Sequence, residues 1–274
     1  MADITHITSP HNPRVGFLRA LHTAKGRAQE QSWLIEGPHL LWEGLRAQTR
    51  PTVILYDPET LSHARLRREI EGLANSGVEV ATATTAIIAR VAETQTPQGI
   101  VAALPFDAVR PEFLRLRREE RLRPITLALD GVQDPGNVGT ILRSALAADV
   151  DAVYLTPQCA DPFAPKVVRS ASGAHFHLPL YPDQQWDAMR DQFGQDSQIV
   201  IADSAATDEY AALDLTQPTV LIIGSEAHGL SPQARQLATR SIHISMYNGV
   251  ESLNAAIAAS IILFESVRQR QADG

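Results

Sequence analysis

The chain has 274 residues, 44% hydrophobic and 20% charged, and its 24 Lys+Arg against 31 Asp+Glu give a formal net charge of −7. That length and composition point to two globular domains. No apolar run approaches the ~18 residues of a membrane span, and the first residues, with Asp3, His6 and Ser9, lack a secretory apolar core, so a cytoplasmic protein is expected. The single cysteine, Cys159, excludes an intrachain disulfide framework and a cysteine-based zinc cluster.

Residues 13–25 place Val15, Leu18 and Leu21 at helical spacing. Residues 32–36 and 53–56 read as strands, 62–74 as a charged helix, and 78–83 and 99–104 as strands again. Residues 1–104 are therefore expected to form a small α/β unit. Residues 105–124 turn Arg- and Glu-rich between Pro105 and Pro124, which suits a partly helical linker. From 125 to 274 a second domain is expected: 125–130, 137–149 and 152–156 run strand, helix, strand, and a parallel sheet follows from that alternation. Further strands are expected at 175–180, 199–202, 220–223 and 242–246, with a long helix over 253–269.

Charge is unevenly spread. Residues 1–124 hold 16 Arg+Lys against 14 Asp+Glu, a balance of +2, whereas residues 125–274 hold 8 against 17, a balance of −9. If nucleic acid is bound, the N-terminal part and local patches must hold it. Nearly all positive charge is Arg, with only Lys25 and Lys166 as lysines, which fits genome composition better than phosphate recognition.

Three segments follow expected strands, where an open α/β sheet binds ligands. The first is Asp134-Pro135-Gly136-Asn137, leading into Arg143; the second is Gly224-Ser225-Glu226-Ala227-His228-Gly229; the third joins Ile244 and Met246 to Ser252-Leu253-Asn254. Together they suggest one composite site. Asn137 reads as a helix N-cap after the Pro-Gly turn. Arg143 stands among Ile141, Leu142, Ala145 and Leu146, so it must either pair with an acid or face a cleft. Glu226 is the only acid of its loop and on its own reads as solvated. The Gly-x-Ser-x-Gly nucleophile elbow does not fit, because His228 stands where the second glycine belongs. Ser252 reads as the cap of the last helix, with Asn254 an unexpected polar residue before Ala255-Ala256-Ile257. Lys166 and Arg169 form a basic pair on a short helix ending at Gly173, by itself a solvated face. The nine histidines show no metal-ligand spacing, and no phosphate-loop or dinucleotide fingerprint occurs.

In this order and spacing, Asn137, Arg143, Glu226, Gly229, Ser252, Leu253 and Asn254 closely resemble the three motifs of the SpoU/TrmH family of RNA 2′-O-ribose methyltransferases, part of the SPOUT superfamily. The resemblance runs from about Thr126 to Arg268. It implies an α/β fold with a SPOUT parallel sheet and a C-terminal trefoil knot, S-adenosylmethionine as cofactor, no metal, and a homodimer. Arg143, Asn137, Glu226, Ser252 and Asn254 become the expected catalytic residues, and Gly224, Ile244, Met246, Ser252 and Leu253 the expected cofactor contacts. Residues 7–15 and 34–38, with Arg27, are similar to the small RNA-binding α/β/α domain attached to many SpoU enzymes, although Gly16 stands where relatives often carry a lysine. Arg14, Arg27, Lys166 and Arg169 are the expected RNA contacts. The appended domain favours rRNA as substrate over tRNA. A tRNA 2′-O-methyltransferase and a non-catalytic RNA-binding module are the alternatives; intact Arg143 and Asn254 speak against the second, and Ser252-Leu253-Asn254 against a base-methylating relative. A guanidinium has no lone pair to take a proton. Arg143 is therefore expected to hold a phosphate or the developing alkoxide rather than act as a base.

Overall fold

The computed structural model describes residues 4–110, 114, 123–193 and 196–272. The chain divides into two compact units: Met1–Val109 with Phe163–Phe176, and Arg110–Pro162 with His177–Gly274. Among the described residues no helix is long and apolar enough to cross a membrane. Most of the expected 105–124 linker lies outside the described residues; Phe106–Val109 forms a short 3-10 turn.

In the first unit, β1 (Thr5–Ile7), β2 (Ser32–Glu36), β3 (Val53–Tyr56), β4 (Glu79–Ala83) and β5 (Ile100–Pro105) form a mixed sheet in the order β1-β4-β3-β5-β2. Helices α1 (Pro13–Ala20), α2 (Ala24–Glu30), α3 (Pro38–Arg46), α4 (Ala64–Asn75) and α5 (Thr85–Val91) accompany it. The pleat of β2 serves two cores, since successive side chains face opposite sides. Trp33 and Ile35 join Leu41, Leu66 and Ile70, while Leu34 joins Val15, Leu18 and Ile88. Val168 and Phe176 of the later segment complete the first of these cores. The helix expected over 13–25 is two helices. Thr23 interrupts it, its hydroxyl accepting from the Gly26 N–H at 3.0 Å and capping α2.

The second unit begins with β6 (Ile125–Asp130), α6 (Pro135–Ala147) and β7 (Ala152–Leu155). Next comes α7 (Pro165–Ala171), which belongs to the first unit. The chain then returns through β8 (Leu180–Tyr181), α8 (Trp186–Gln192), β9 (Gln198–Ala202), β10 (Asp208–Glu209), β11 (Thr219–Gly224), α9 (Pro232–Leu237), β12 (Arg240–His243) and α10 (Ala255–Ala272). The seven strands are all parallel, in the order β10-β12-β9-β11-β6-β7-β8, as the alternating strand and helix pattern requires. α10 lies against α6, where the Ser144 and Ser260 hydroxyls share a hydrogen bond of 2.7 Å.

Two expected strands change. Most of 175–180 is not strand: Ala174–Phe176 is a 3-10 turn following Gly173 at φ 95°, and only Leu180–Tyr181 pairs. Aromatic packing decides this, for Trp33 lies 5.4 Å from His175 and 5.7 Å from Phe176, ring centre to ring centre. The strand expected over 242–246 stops at His243, and Ile244–Met246 enter a loop. Both expected caps also move. Asp134 caps α6, its carboxylate accepting from the Asn137 N–H at 2.8 Å with Pro135 next to it in the first turn. Asn254 caps α10 in place of Ser252, its Oδ1 accepting from the N–H groups of Ala256 and Ile257 at 3.0 and 3.2 Å.

Candidate active site

The carboxyl ends of β9, β11 and β12 border one cavity of 240 Å³ in the second unit. Because these strands are parallel neighbours, their following loops emerge on the same edge. The loop after β11 folds tightly: Ser225 and Gly229 exchange backbone hydrogen bonds of 3.0 and 2.8 Å, and the Ser225 hydroxyl accepts from the Ala227 and His228 N–H groups. This fold requires glycine at 224, since a Cβ there would lie 2.7 Å from the Gly229 backbone. Buried Asp130, ending β6, accepts from the Ser231 N–H at 2.6 Å and ties the loop's far side to the neighbouring strand.

The cavity walls include Gly224, Ile244, Met246, Ser252 and Leu253, so all five expected cofactor residues meet there. Ile223, Leu230 and Ile242 extend the apolar part. Met246, Ser252 and Leu253 form no hydrogen bond with another described residue, which leaves their backbone polar groups available to a ligand. Sequence reasoning missed the residues after β9. Asp203 and Ser204 line the cavity, with Arg235 of α9 and His243 of β12. Their signal was present, because Asp203 follows a strand end as directly as the other motifs do. Burial works against ionisation of Asp203, but the Ala205 N–H and the Arg235 guanidinium outweigh it and hold the carboxyl below its ordinary range.

Beside the cavity, the three motifs join through side chains. Asn137 donates from Nδ2 to Glu226, Asn254 donates from Nδ2 to Asn137 Oδ1 at 2.9 Å, and the Ala255 N–H donates to Glu226 at 3.4 Å. Glu226 thus partners two amide groups and makes no ion pair with Arg143. Arg143 is not buried. It projects from the exposed face of α6 with Thr140 and Ala147, and forms no hydrogen bond or ion pair with a described residue. A fixed positive charge without a protein partner is free to meet an anion.

Residues 124–264, over half of the chain, match the SpoU rRNA Methylase family. The chain belongs to that family. Residues 12–102 match the MRM3-like substrate binding domain. An uncharacterized tRNA/rRNA methyltransferase of Synechocystis is 36% identical over 99% of this chain and 96% of its own length. The 23S rRNA (guanosine(2553)-2′-O)-methyltransferase RlmP of Bacillus subtilis is 32% identical over 94% of this chain and 97% of its own length. Among solved structures, the AdoMet-bound rRNA methyltransferase from Sinorhizobium meliloti superimposes with a TM-score of 0.82 at 29% identity, covering 97% of this chain and 98% of that one. The SpoU fold expected from the motifs, with a parallel sheet and an N-terminal substrate-binding domain, is the fold found.

The four expected RNA contacts fall differently. Lys166 is exposed on α7. Arg169 pairs with Glu93, and Arg14 with Glu79. Arg27 is a correction: it is 3% exposed, and its guanidinium donates to the Leu21 carbonyl at 2.8 Å. Burial puts it out of reach of a phosphate and makes it a structural link between α1 and α2.

Proposed function

We propose that this SpoU protein transfers the methyl group of S-adenosylmethionine to a ribose 2′-hydroxyl of ribosomal RNA. The observation that carries the reading is the cavity at the ends of β9, β11 and β12, adjoined by the Asn137–Glu226–Asn254 network. The lining suits the cofactor chemically: apolar walls at Ile223, Leu230 and Ile244 suit an adenine. When bound, the cofactor supplies an electrophilic methyl on a sulfonium.

The protein's own task is alignment. The tight loop at 224–229 and the capped start of α10 form fixed walls, so a bound ligand pays little of the ordering cost during reaction. Asn137 bonds both Glu226 and Asn254, which ties the start of α6 to the loop after β11 and to the start of α10. Arg143, exposed and without a partner among the described residues, holds the RNA phosphate or the 2′-oxygen as charge develops on it. The proton leaves to phosphate or water.

Residues 1–104 are read as the RNA-docking domain and 125–274 as the catalytic one, with the family's trefoil knot shaping the pocket. A homodimer is part of the reading. Ile257 and Phe264, 53% and 49% exposed on one side of α10, together with Tyr247 at 78%, are apolar surface suited to a second copy.

The test is methyl transfer from labelled S-adenosylmethionine to transcribed ribosomal RNA, followed by mapping of alkali-resistant 2′-O-methyl positions. Label in a base, or none in RNA, would overturn the reading.

A further inference from the structure

A depression of 360 Å³ opens on the first unit and is built entirely from that unit's residues. Its walls come from the junction of β2 and α3, the loop between α5 and β5, and the end of α7. Its charges are already used. Glu36 accepts from the Glu93 and Thr94 N–H groups at 3.0 and 3.4 Å and from the Thr94 hydroxyl, which pins the loop. Arg169 is paired with Glu93. Two carboxylates around one engaged guanidinium make a poor seat for an isolated phosphate or carboxylate.

The rim is polar and neutral. Gln98 and Thr96 are exposed, and neither side chain has a hydrogen-bond partner among the described residues. Across from them the His39 imidazole is exposed, 3.5 Å from the Ser172 hydroxyl. Gly37 makes room for the carboxamide: its φ is 95°, and a Cβ there would lie 2.8 Å from Gln98 Oε1. A carboxamide offers donor and acceptor side by side, a hydroxyl offers either, and an imidazole offers a flat face. That combination matches the edge and face of a nucleobase, which single-stranded RNA can splay out.

We propose that this depression holds one unstacked base of the substrate RNA, its edge on Gln98 and Thr96 and its face on His39. The proposal deepens the reading of the protein as an RNA methyltransferase and rests on RNA being its substrate. Wild-type methyl transfer to transcribed large-subunit ribosomal RNA tests that reading by itself. The pocket is tested by filter binding of the same RNA to full-length wild type, Gln98→Ala and Thr96→Val across a salt series. Exposed positions such as these leave the fold intact, which unchanged melting and unchanged S-adenosylhomocysteine affinity will verify. Gln98→Ala is expected to weaken binding about tenfold with the salt slope unchanged, the signature of a base contact. RNA affinity of Gln98→Ala and Thr96→Val within twofold of wild type would overturn the proposal. A reduced salt slope for Gln98→Ala would overturn it too, by showing a phosphate contact instead.

Discussion

Asn254 donates a 2.9 Å hydrogen bond to the carboxamide oxygen of Asn137, 117 residues earlier in the chain. The remaining Asn137 nitrogen donates to Glu226, and the Asn254 oxygen caps α10, so both carboxamides have a single consistent orientation. One residue from each motif is locked to the other two. The lock needs Asn137 to donate. Asn137→Asp replaces that donor with a like charge facing Glu226, and is expected to slow methyl transfer at least about tenfold, a change of roughly 1.4 kcal/mol. Asp134 still caps α6, so the helix should survive. Single-turnover transfer with a parallel melting curve checks this; wild-type rates would show that the lock has no bearing on reaction.

Arg143→Ala is expected to lower single-turnover transfer at saturating cofactor and RNA by at least ~10²-fold, the scale of a positioned electrostatic group. Because the side chain is exposed and has no partner among the described residues, melting temperature and S-adenosylhomocysteine affinity should barely move. Arg143→Lys keeps the charge and loses the planar fork. Substantial rescue points to simple charge stabilisation, and no rescue to two-pronged gripping of a phosphate. An unimpaired Arg143→Ala enzyme would remove the residue from the mechanism.

Gly224→Val should abolish measurable S-adenosylhomocysteine binding in calorimetry while RNA binding persists. The added side chain meets the Gly229 backbone at 2.7 Å, and that backbone is held by its reciprocal bonds to Ser225. Retained cofactor affinity would mean that the 224–229 loop is not a wall of the binding site.

Asp57 anchors the first unit. It is 2% exposed, and it accepts from the Thr60 and Thr85 hydroxyls at 2.6 and 2.7 Å and from the Glu59 N–H at 2.9 Å. Burial raises its carboxyl, but these hydrogen bonds prevail and leave it below the ordinary value. A carboxyl lowered in the folded state contributes stability above its unfolded value of about 3.9, and that contribution is lost as pH falls through the folded value. Asp57→Asn is expected to cost about 1–3 kcal/mol near pH 7. In denaturant titrations the deficit should shrink below pH of about 4. A deficit that stays constant into acid would assign the effect to packing rather than charge.

Much of the site was legible from local chemistry. The apolar runs ending at Asp130 and Gly224, and the Gly-, Asn- and Ser-rich loops after them, depend only on residues a few positions away, so period and turn chemistry located them. The parallel sheet followed from alternation in the same way. Roles within the loops were not local. Asn137 looked like a cap and is the centre of the lock, because Asp134 took the cap and freed the carboxamide for Glu226, 89 residues away. Arg27 looked like an RNA contact and is buried, because the turn that Thr23 imposes brings its guanidinium back under the Leu21 carbonyl. The strand order brings β9 and its following residue Asp203 between the ends of β11 and β12, although no motif marked that position. The sequence by itself determined which loops carry chemistry, since caps, turns and periodicity are set by near neighbours. Only the tertiary structure decided which side chains meet, because strand adjacency in a parallel sheet joins residues far apart in the chain, as β6 and β11 pair Ile125 with Thr219.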